Sequence, residues 1–162
     1  MFAPLIEFIR DHYRSNDPIP LHAPVFGGHE REYLLKTIDS TFVSSFGPFV
    51  DRFEREIEAY TGSPRAVATV NGTAALHIAL KLAGVAPGDL VLTQPLTFVA
   101  TCNAIAYCGA EPVFVDVDRH TLGLSPTALE AWLEEHARLD TDGICRSRTD
   151  HRVLRCCVPM HT

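Results

Sequence analysis

The chain has 162 residues, of which 46% are hydrophobic and 21% charged, and this apolar content is enough to build a core rather than a disordered tail. The formal charge of −6 and the lack of a basic stretch argue against a nucleic-acid-binding protein. No run of about 18 apolar residues predicts a membrane span, and charged residues inside Met1–Arg14 argue against a signal peptide.

Three helices are predicted in the first part of the chain. Apolar side chains recur at helical spacing in Met1–Arg14, His29–Phe42 and Pro48–Tyr60. Two prolines in Asp17–Pro20 end the first helix, because proline and the residue before it leave the helical region. An extended segment, Pro20–Gly28, then leads into the second helix.

From Arg65 onward the pattern alternates between strands and helices. The predicted strands are Arg65–Val70, Leu90–Thr93, Pro112–Val117 and Val153–Pro159. Helices are predicted between them at Thr73–Ala83, at Thr97–Cys108 and from Ser125 to about Arg138; the polar stretch Asp140–Asp150 is predicted to be a loop. This order predicts an α/β fold with a mainly parallel sheet flanked by helices.

The turn Asn71-Gly72-Thr73 is the first candidate binding site. A helix that starts directly after a strand leaves its first N–H groups without partners, and these donors favour an anion. Gly72 allows a close approach of the backbone, and Thr73 adds a hydroxyl, so phosphate is a reasonable ligand. The alternative is an ordinary strand-to-helix turn, and neither GxxxxGK[ST] nor GxGxxG is present.

Phe98 is the second candidate. It follows the predicted strand Leu90–Thr93, and ligands of open α/β sheets bind beyond the carboxyl ends of strands. An aromatic ring at that edge could stack on a flat heterocycle. The alternative is that Phe98 belongs to the core.

The five cysteines do not form a recognisable framework. Their number is odd and no CxxC occurs, which favours reduced thiols in the cytoplasm over secreted disulfides. A metal site is the alternative, but adjacent cysteines on a strand point to opposite faces. No metal is expected at the candidate ligands, which are Cys145, His151, Cys156, Cys157 and His161.

Together these segments resemble the DegT/DnrJ/EryC1/StrS family of pyridoxal-phosphate (PLP) dependent sugar aminotransferases. The resemblance depends on the order and spacing of many short matches rather than on one motif: Pro20–Pro24, Val43–Val50, Phe53-Glu54, Val70–Leu76, Leu96–Thr101, Asn103–Ile105, Gly109-Ala110, Val113–Asp116, Gly143–Arg146 and Val158–Thr162. It implies the type I aminotransferase fold and PLP as cofactor. Gly143–Arg146 and Val158–Thr162 fit one branch of the family, which resembles aminotransferases that act on UDP-linked 4-keto-6-deoxy-N-acetyl sugars, as in legionaminic-acid or bacillosamine pathways.

The resemblance also implies roles for single residues. Gly72 and Thr73 match the pair that holds the cofactor phosphate, and Phe98 matches the aromatic residue that stacks on the pyridine ring. Asn71 is expected to shape the turn, and Asn103 to make a local hydrogen bond. Ser44, Ser45 and Gly47-Pro48 match part of the substrate entrance, whereas His161 either approaches the active site or has no role.

The family's Schiff-base lysine and the Asp that pairs with the pyridine nitrogen match no residue of this chain. The only lysines are Lys36 and Lys81, and neither matches the family pattern. We therefore expect an N-terminal fragment that is inactive alone, with residues 1–28 as an N-terminal helix and extended segment and residues 29–162 as an incomplete large PLP-binding domain.

The intact parent is expected to be a cytoplasmic homodimer. It would transfer an amino group, from glutamate, to C4 of a nucleotide-linked 4-keto-6-deoxy sugar. Two other functions remain open: a small α/β module that binds a phosphorylated ligand without catalysis, and a Rossmann-type nucleotide enzyme. The missing glycine-rich fingerprint after Val70 counts against the latter.

Overall fold

The computed structural model describes residues 2–161, and its backbone contacts divide the chain into two compact units, one up to Ala66 and one from Val67 onward. Among the residues described, every helix is too short or too polar to cross a membrane.

The first unit consists of three helices, as predicted: α1 (Ala3–Tyr13), α2 (Glu30–Ser40) and α3 (Pro48–Thr61). Arg14 ends α1 in the left-handed conformation, and the proline-containing segment that follows is irregular. None of the three described helices contains a buried residue, so their apolar faces remain exposed.

Two glycines set the limits of α3. Gly47 precedes the helix at φ +146°, and a Cβ there would lie 3.1 Å from the Cβ of Phe42. Gly62 ends the helix at φ +73°, and its N–H donates to the carbonyl of Glu58. Both positions therefore favour glycine, which has no side chain to clash or to strain the backbone.

The second unit is an α/β structure built on a parallel sheet. Its elements are α4 (Gly72–Leu82), β1 (Leu90–Thr93), α5 (Val99–Tyr107), β2 (Glu111–Phe114), α6 (Pro126–His136), β3 (Ala137–Leu139), β4 (Cys145–Ser147) and β5 (Leu154–Val158). Strands β2, β1 and β5 pair in that order and all run parallel. The predicted fold class is confirmed.

The core lies on both faces of the central strand β1. Val91 packs with residues of α4 and α5, among them Leu80 and Ile105. Leu90 and Leu92 point to the opposite face, where the side chains of α6 pack. This alternation is the period-two pattern of a strand, and burial on both faces explains why β1 is apolar throughout.

The predicted strand Arg65–Val70 is wrong. The segment forms no strand and pairs with no other strand in the described part of the chain. The side chains of Val67 and Val70 are 80% and 89% exposed. A β-branched segment becomes a strand only when a neighbour satisfies its backbone N–H and C=O groups.

The predicted loop at Asp140–Asp150 is also wrong in part, because it contains β4, which pairs antiparallel with β3. The Arg146 guanidinium forms ion pairs with Asp140 at 2.9 Å and with Asp142 at 3.0 Å. Gly143 allows the turn at φ +77°. The polar composition that suggested a loop is that of a short, charged hairpin.

Candidate functional site

The turn before α4 is shaped by Asn71, as the sequence predicts. Asn71 is the extended N-cap residue of the helix, and its Oδ1 accepts a hydrogen bond from the Ala74 N–H at 2.9 Å. Its carbonyl accepts from the Ala75 N–H at 3.1 Å and from the Thr69 hydroxyl at 3.0 Å. The cap therefore occupies the third and fourth amides of the helix.

The first two amides, those of Gly72 and Thr73, are left open. No hydrogen bond within the described residues uses these two N–H groups, since a helix offers them no carbonyl one turn earlier. A Cβ added to Gly72 would meet no atom within 4 Å, so the space in front of the turn is open. The first turn of α4 carries no acidic residue, whereas those of α2 and α3 do. The start of α4 is thus suited to an anion.

A cavity of about 420 Å³ lies beside this turn. It is lined by Asn71, Thr73, Ala74, His77 and Tyr107. The rings of His77 and Tyr107 meet edge to face, with centroids 5.9 Å apart. Neither residue is predicted from the sequence pattern, although His77 lies four positions after Thr73 and so shares its helix face, a signal that identifies it as a neighbour of the turn.

Phe98 is the N-cap residue of α5, and its side chain is 76% exposed. It is not among the residues that line the cavity beside Thr73. Its backbone is held locally, because the Phe98 carbonyl accepts from the Thr101 N–H and the Thr97 and Thr101 hydroxyls lie 2.9 Å apart. The ring is therefore available to a ligand rather than packed in the core. Its stacking role stays a prediction.

The segment predicted to form a substrate entrance lies in the first unit. Ser44, Gly47 and Pro48 contribute to a cavity of about 300 Å³, and Ser45 is not among its lining residues. The Ser44 hydroxyl accepts from the Phe46 N–H at 3.4 Å. These are local turn contacts, and the entrance function stays a prediction.

Three other candidates are placed as follows. His161 is exposed and lines a cavity of about 240 Å³ after the end of β5. Asn103 lies half-buried in α5, and its side chain makes no hydrogen bond to another described residue, so the predicted local bond is wrong. Lys36 pairs with Glu32 at 2.5 Å in the first unit, and Lys81 lies in the last turn of α4.

The cysteines are all free thiols. Burial raises the pKa of both Cys156 and Cys157, which keeps these thiols protonated at neutral pH. Within residues 2–161, no three His, Cys, Asp or Glu side chains are grouped so that they could hold a metal ion.

Comparison with known proteins identifies a family and several relatives. The DegT/DnrJ/EryC1/StrS aminotransferase family matches residues 25–140. GDP-perosamine synthase of Caulobacter vibrioides is 45% identical over 113 residues, which are 70% of this chain and 30% of that protein. Spore coat polysaccharide biosynthesis protein SpsC of Bacillus subtilis is 44% identical over 73% of this chain and 30% of its own length. The chain thus spans about a third of the length of the curated relatives that it matches.

Solved structures give the same result. A DegT DnrJ EryC1 StrS aminotransferase from Brucella abortus aligns with a TM-score of 0.64 and 29% identity, over 80% of this chain and 32% of its own. The PLP form of Spr1654 from Streptococcus pneumoniae aligns with a TM-score of 0.58 and 32% identity, over 70% of this chain and 29% of its own. The match covers most of the chain and includes the α4 turn and Phe98, and the chain belongs to the DegT/DnrJ/EryC1/StrS aminotransferase family.

Proposed function

We propose that this chain forms the cofactor-phosphate and ring-stacking part of a PLP-dependent sugar aminotransferase. The intact enzyme would move an amino group from glutamate to C4 of a nucleotide-linked 4-keto-6-deoxy sugar, for cell-surface polysaccharide synthesis. Family membership and the names of the relatives support this class of reaction. The observation that carries the proposal is the open, acid-free start of α4 inside the matched region.

Gly72 and Thr73 would hold the cofactor phosphate. Their two N–H groups point away from the helix, and the Thr73 hydroxyl offers a third donor at the same turn. The α4 dipole adds a partial positive charge there. Asn71 keeps the turn in place by capping the third amide, so the phosphate competes with no internal hydrogen bond.

Phe98 would cover one face of the pyridine ring. An exposed aromatic ring gains from being covered by a flat heterocycle, because both surfaces leave water. The Thr97–Thr101 contact holds the backbone on either side of Phe98. When bound, PLP supplies the electron sink on which an amino group is carried from donor to acceptor.

We further propose that the 162-residue chain does not transaminate by itself. PLP chemistry needs an amine carrier. Lys36 is paired with Glu32 in the first unit, Lys81 lies at the opposite end of α4 from Thr73, and neither matches the lysine of the family pattern. The parent enzyme would be a cytoplasmic homodimer, and the five free thiols support that compartment.

The first experiment is a titration of the chain with PLP, followed by absorbance and by competition with inorganic phosphate. Thr73→Val removes a hydroxyl donor to a charged group, and we expect affinity to fall by about tenfold or more. Thr127→Val is the matched control, because Thr127 is also the second residue of a helix whose N-cap side chain accepts from the third amide. Equal affinities in the two variants would contradict the phosphate assignment.

A second experiment tests whether the chain is inactive alone. The chain is incubated with PLP, glutamate and a keto-sugar nucleotide, and 2-oxoglutarate is measured with a coupled dehydrogenase. We expect no release above the protein-free rate. Turnover by the isolated chain would contradict the proposal that neither Lys36 nor Lys81 can serve as the amine carrier. A monomeric chain with two-state melting would favour the non-catalytic phosphate-binding module instead.

A further inference from the structure

A single buried side chain links the three segments that leave the carboxyl ends of the parallel strands. Gln94 directly follows β1 and is fully buried, with 0% exposure. Its Nε2 donates to the carbonyls of Leu96 at 3.1 Å and Leu122 at 3.2 Å. Its Oε1 accepts from the Met160 N–H at 3.0 Å. These segments follow β1, β2 and β5 respectively.

The chemistry of the three partners requires an amide at this position. Two carbonyl oxygens need a side chain with two N–H donors, and a backbone N–H needs an acceptor. Glutamine provides both on one planar group. A carboxylate would offer no donor to the two carbonyls, and an apolar side chain would leave all three backbone groups without a side-chain partner.

One of these segments has a strained backbone and receives a hydrogen bond from outside its own turn. Leu122 has a positive φ of 58°, a left-handed conformation that costs a residue with a side chain about 1–2 kcal/mol. The start of the turn is held by the Asp118 carboxylate, which accepts hydrogen bonds from the amides of His120 and Thr121. The far end is closed by the backbone, since the Leu122 N–H donates to the Asp118 carbonyl and the Asp118 N–H to the Gly123 carbonyl, both at 2.8 Å. The bond from Gln94 to the Leu122 carbonyl connects this closed turn to the segment after β1.

We propose that Gln94 is a positioning residue that fixes the Phe98 loop relative to the Leu122 turn and the segment carrying His161. The bond at Leu96 lies two residues before Phe98, and the bond at Met160 lies one residue before His161. Gln94 thus sets the geometry of the edge where the ring of the cofactor is proposed to lie. The link to the cofactor depends on the proposed function, whereas the fixing of the three loops does not.

The test compares Gln94→Leu with Thr93→Val by hydrogen exchange of single backbone amides, followed by nuclear magnetic resonance. Thr93 is the matched control, because it is also fully buried and its hydroxyl donates at 2.8 Å to the carbonyl of Val158, a residue of β5 rather than of a loop. In Gln94→Leu we expect the Met160 amide, which donates to the Gln94 side chain, to exchange about tenfold faster, since one hydrogen bond is worth about 1 kcal/mol or more. The Leu122 amide donates to the Asp118 carbonyl at 2.8 Å, so its exchange reports opening of the turn itself and should also become faster. The β1 amides should change little in either variant.

Unchanged exchange of the Met160 amide in Gln94→Leu, unchanged exchange of all amides in the Leu122 turn, or equal acceleration throughout β1 and α5 would overturn the proposal. If Gln94→Leu does not fold, Gln94→Glu decides the question. Protonated glutamate donates one hydrogen bond and accepts one, whereas the ionised form cannot donate. Burial raises the pKa of such a carboxyl, so protection of the two loops, corrected for intrinsic exchange, should recover from pH 8 to pH 5. Equal protection at both values would refute the role of the amide.

PLP affinity provides the functional readout. We expect Gln94→Leu to weaken PLP binding as Phe98→Leu does, by about tenfold, the order of one lost aromatic contact, while Thr93→Val binds like the wild type. Wild-type affinity in Gln94→Leu would refute the positioning of Phe98. A wild-type chain that binds no PLP would instead refute the proposed function, and the exchange data would then decide the role of Gln94 alone.

Discussion

Two substitutions at Asn71 can separate the stability of α4 from its ability to bind an anion. Asn71→Ala removes the 2.9 Å hydrogen bond to the Ala74 amide. Loss of such a cap costs about 1 kcal/mol, which lowers the melting temperature by roughly 2–4 °C in a chain of this length. Asn71→Asp keeps the cap, because Asp and Asn are equivalent at this position, and its charge favours the helix dipole.

The aspartate should nevertheless weaken phosphate binding. Neighbouring positions on a helical turn lie about 5 Å apart, and at that distance two unit charges in water repel by about 0.8 kcal/mol. A phosphate monoester carries a charge of about −1.5 to −2 at neutral pH, so the penalty is about 1.2–1.7 kcal/mol, or roughly tenfold in affinity. We expect Asn71→Asp to melt like the wild type and to bind PLP about tenfold more weakly. Asn71→Ala should show the opposite pattern, with a lower melting temperature and no charge repulsion against the phosphate.

The assay is a thermal melt by circular dichroism beside a PLP titration at low and at high salt. The affinity loss of Asn71→Asp should shrink in high salt, since the repulsion between exposed charges is screened. Wild-type affinity in Asn71→Asp, with an unchanged melt, would show that no phosphate binds at the start of α4.

Three further predictions concern the stability of the second unit. Ile105→Ala empties a fully buried site and should cost about 2–5 kcal/mol in urea unfolding; a loss below about 1 kcal/mol would contradict the core described above. Gly109→Ala should destabilise by about 1–2 kcal/mol, because Gly109 has φ +74° and a new Cβ would lie 3.1 Å from a proline side chain. Hydrogen bonds from Ser147 and Arg152 lower the pKa of Asp150 to about 2 in the folded chain. As the pH drops from about 4 to about 2, the Asp150 carboxylate is therefore protonated in the unfolded chain before the folded one, and the free energy of unfolding falls. Asp150→Asn should flatten that part of an acid titration, and an unchanged slope would show that Asp150 does not contribute.

Local sequence signals predicted most elements of the second unit. Ser125 before Pro126 indicated the start of α6, and the structure has Ser125 as the N-cap residue with a hydrogen bond to the Ala128 amide. The apolar run of β1 and the glycines that follow several helices were equally clear signals in the amino-acid sequence. These signals work because capping and burial depend on residues close in the chain, or on one strongly periodic face.

The features that the sequence did not reveal depend on distant partners. Whether Arg65–Val70 forms a strand depends on a neighbouring strand, which no local pattern contains. The role of Gln94 could not be inferred either, because its partners at Leu122 and Met160 become neighbours only after the sheet has formed. A lone glutamine after a strand has no distinctive spacing, and a leucine with positive φ leaves no compositional trace.

The strand order has a consequence for the time course of folding. Leu90 of β1 pairs on one side with Glu111 of β2 and on the other with Leu154 of β5, a partner much farther along the chain. Closing the longer loop costs more chain entropy, and distant contacts slow folding. We expect the β2–β1 pair to form early and β5 to join late, so that one edge of β1 stays exposed until β5 pairs with it.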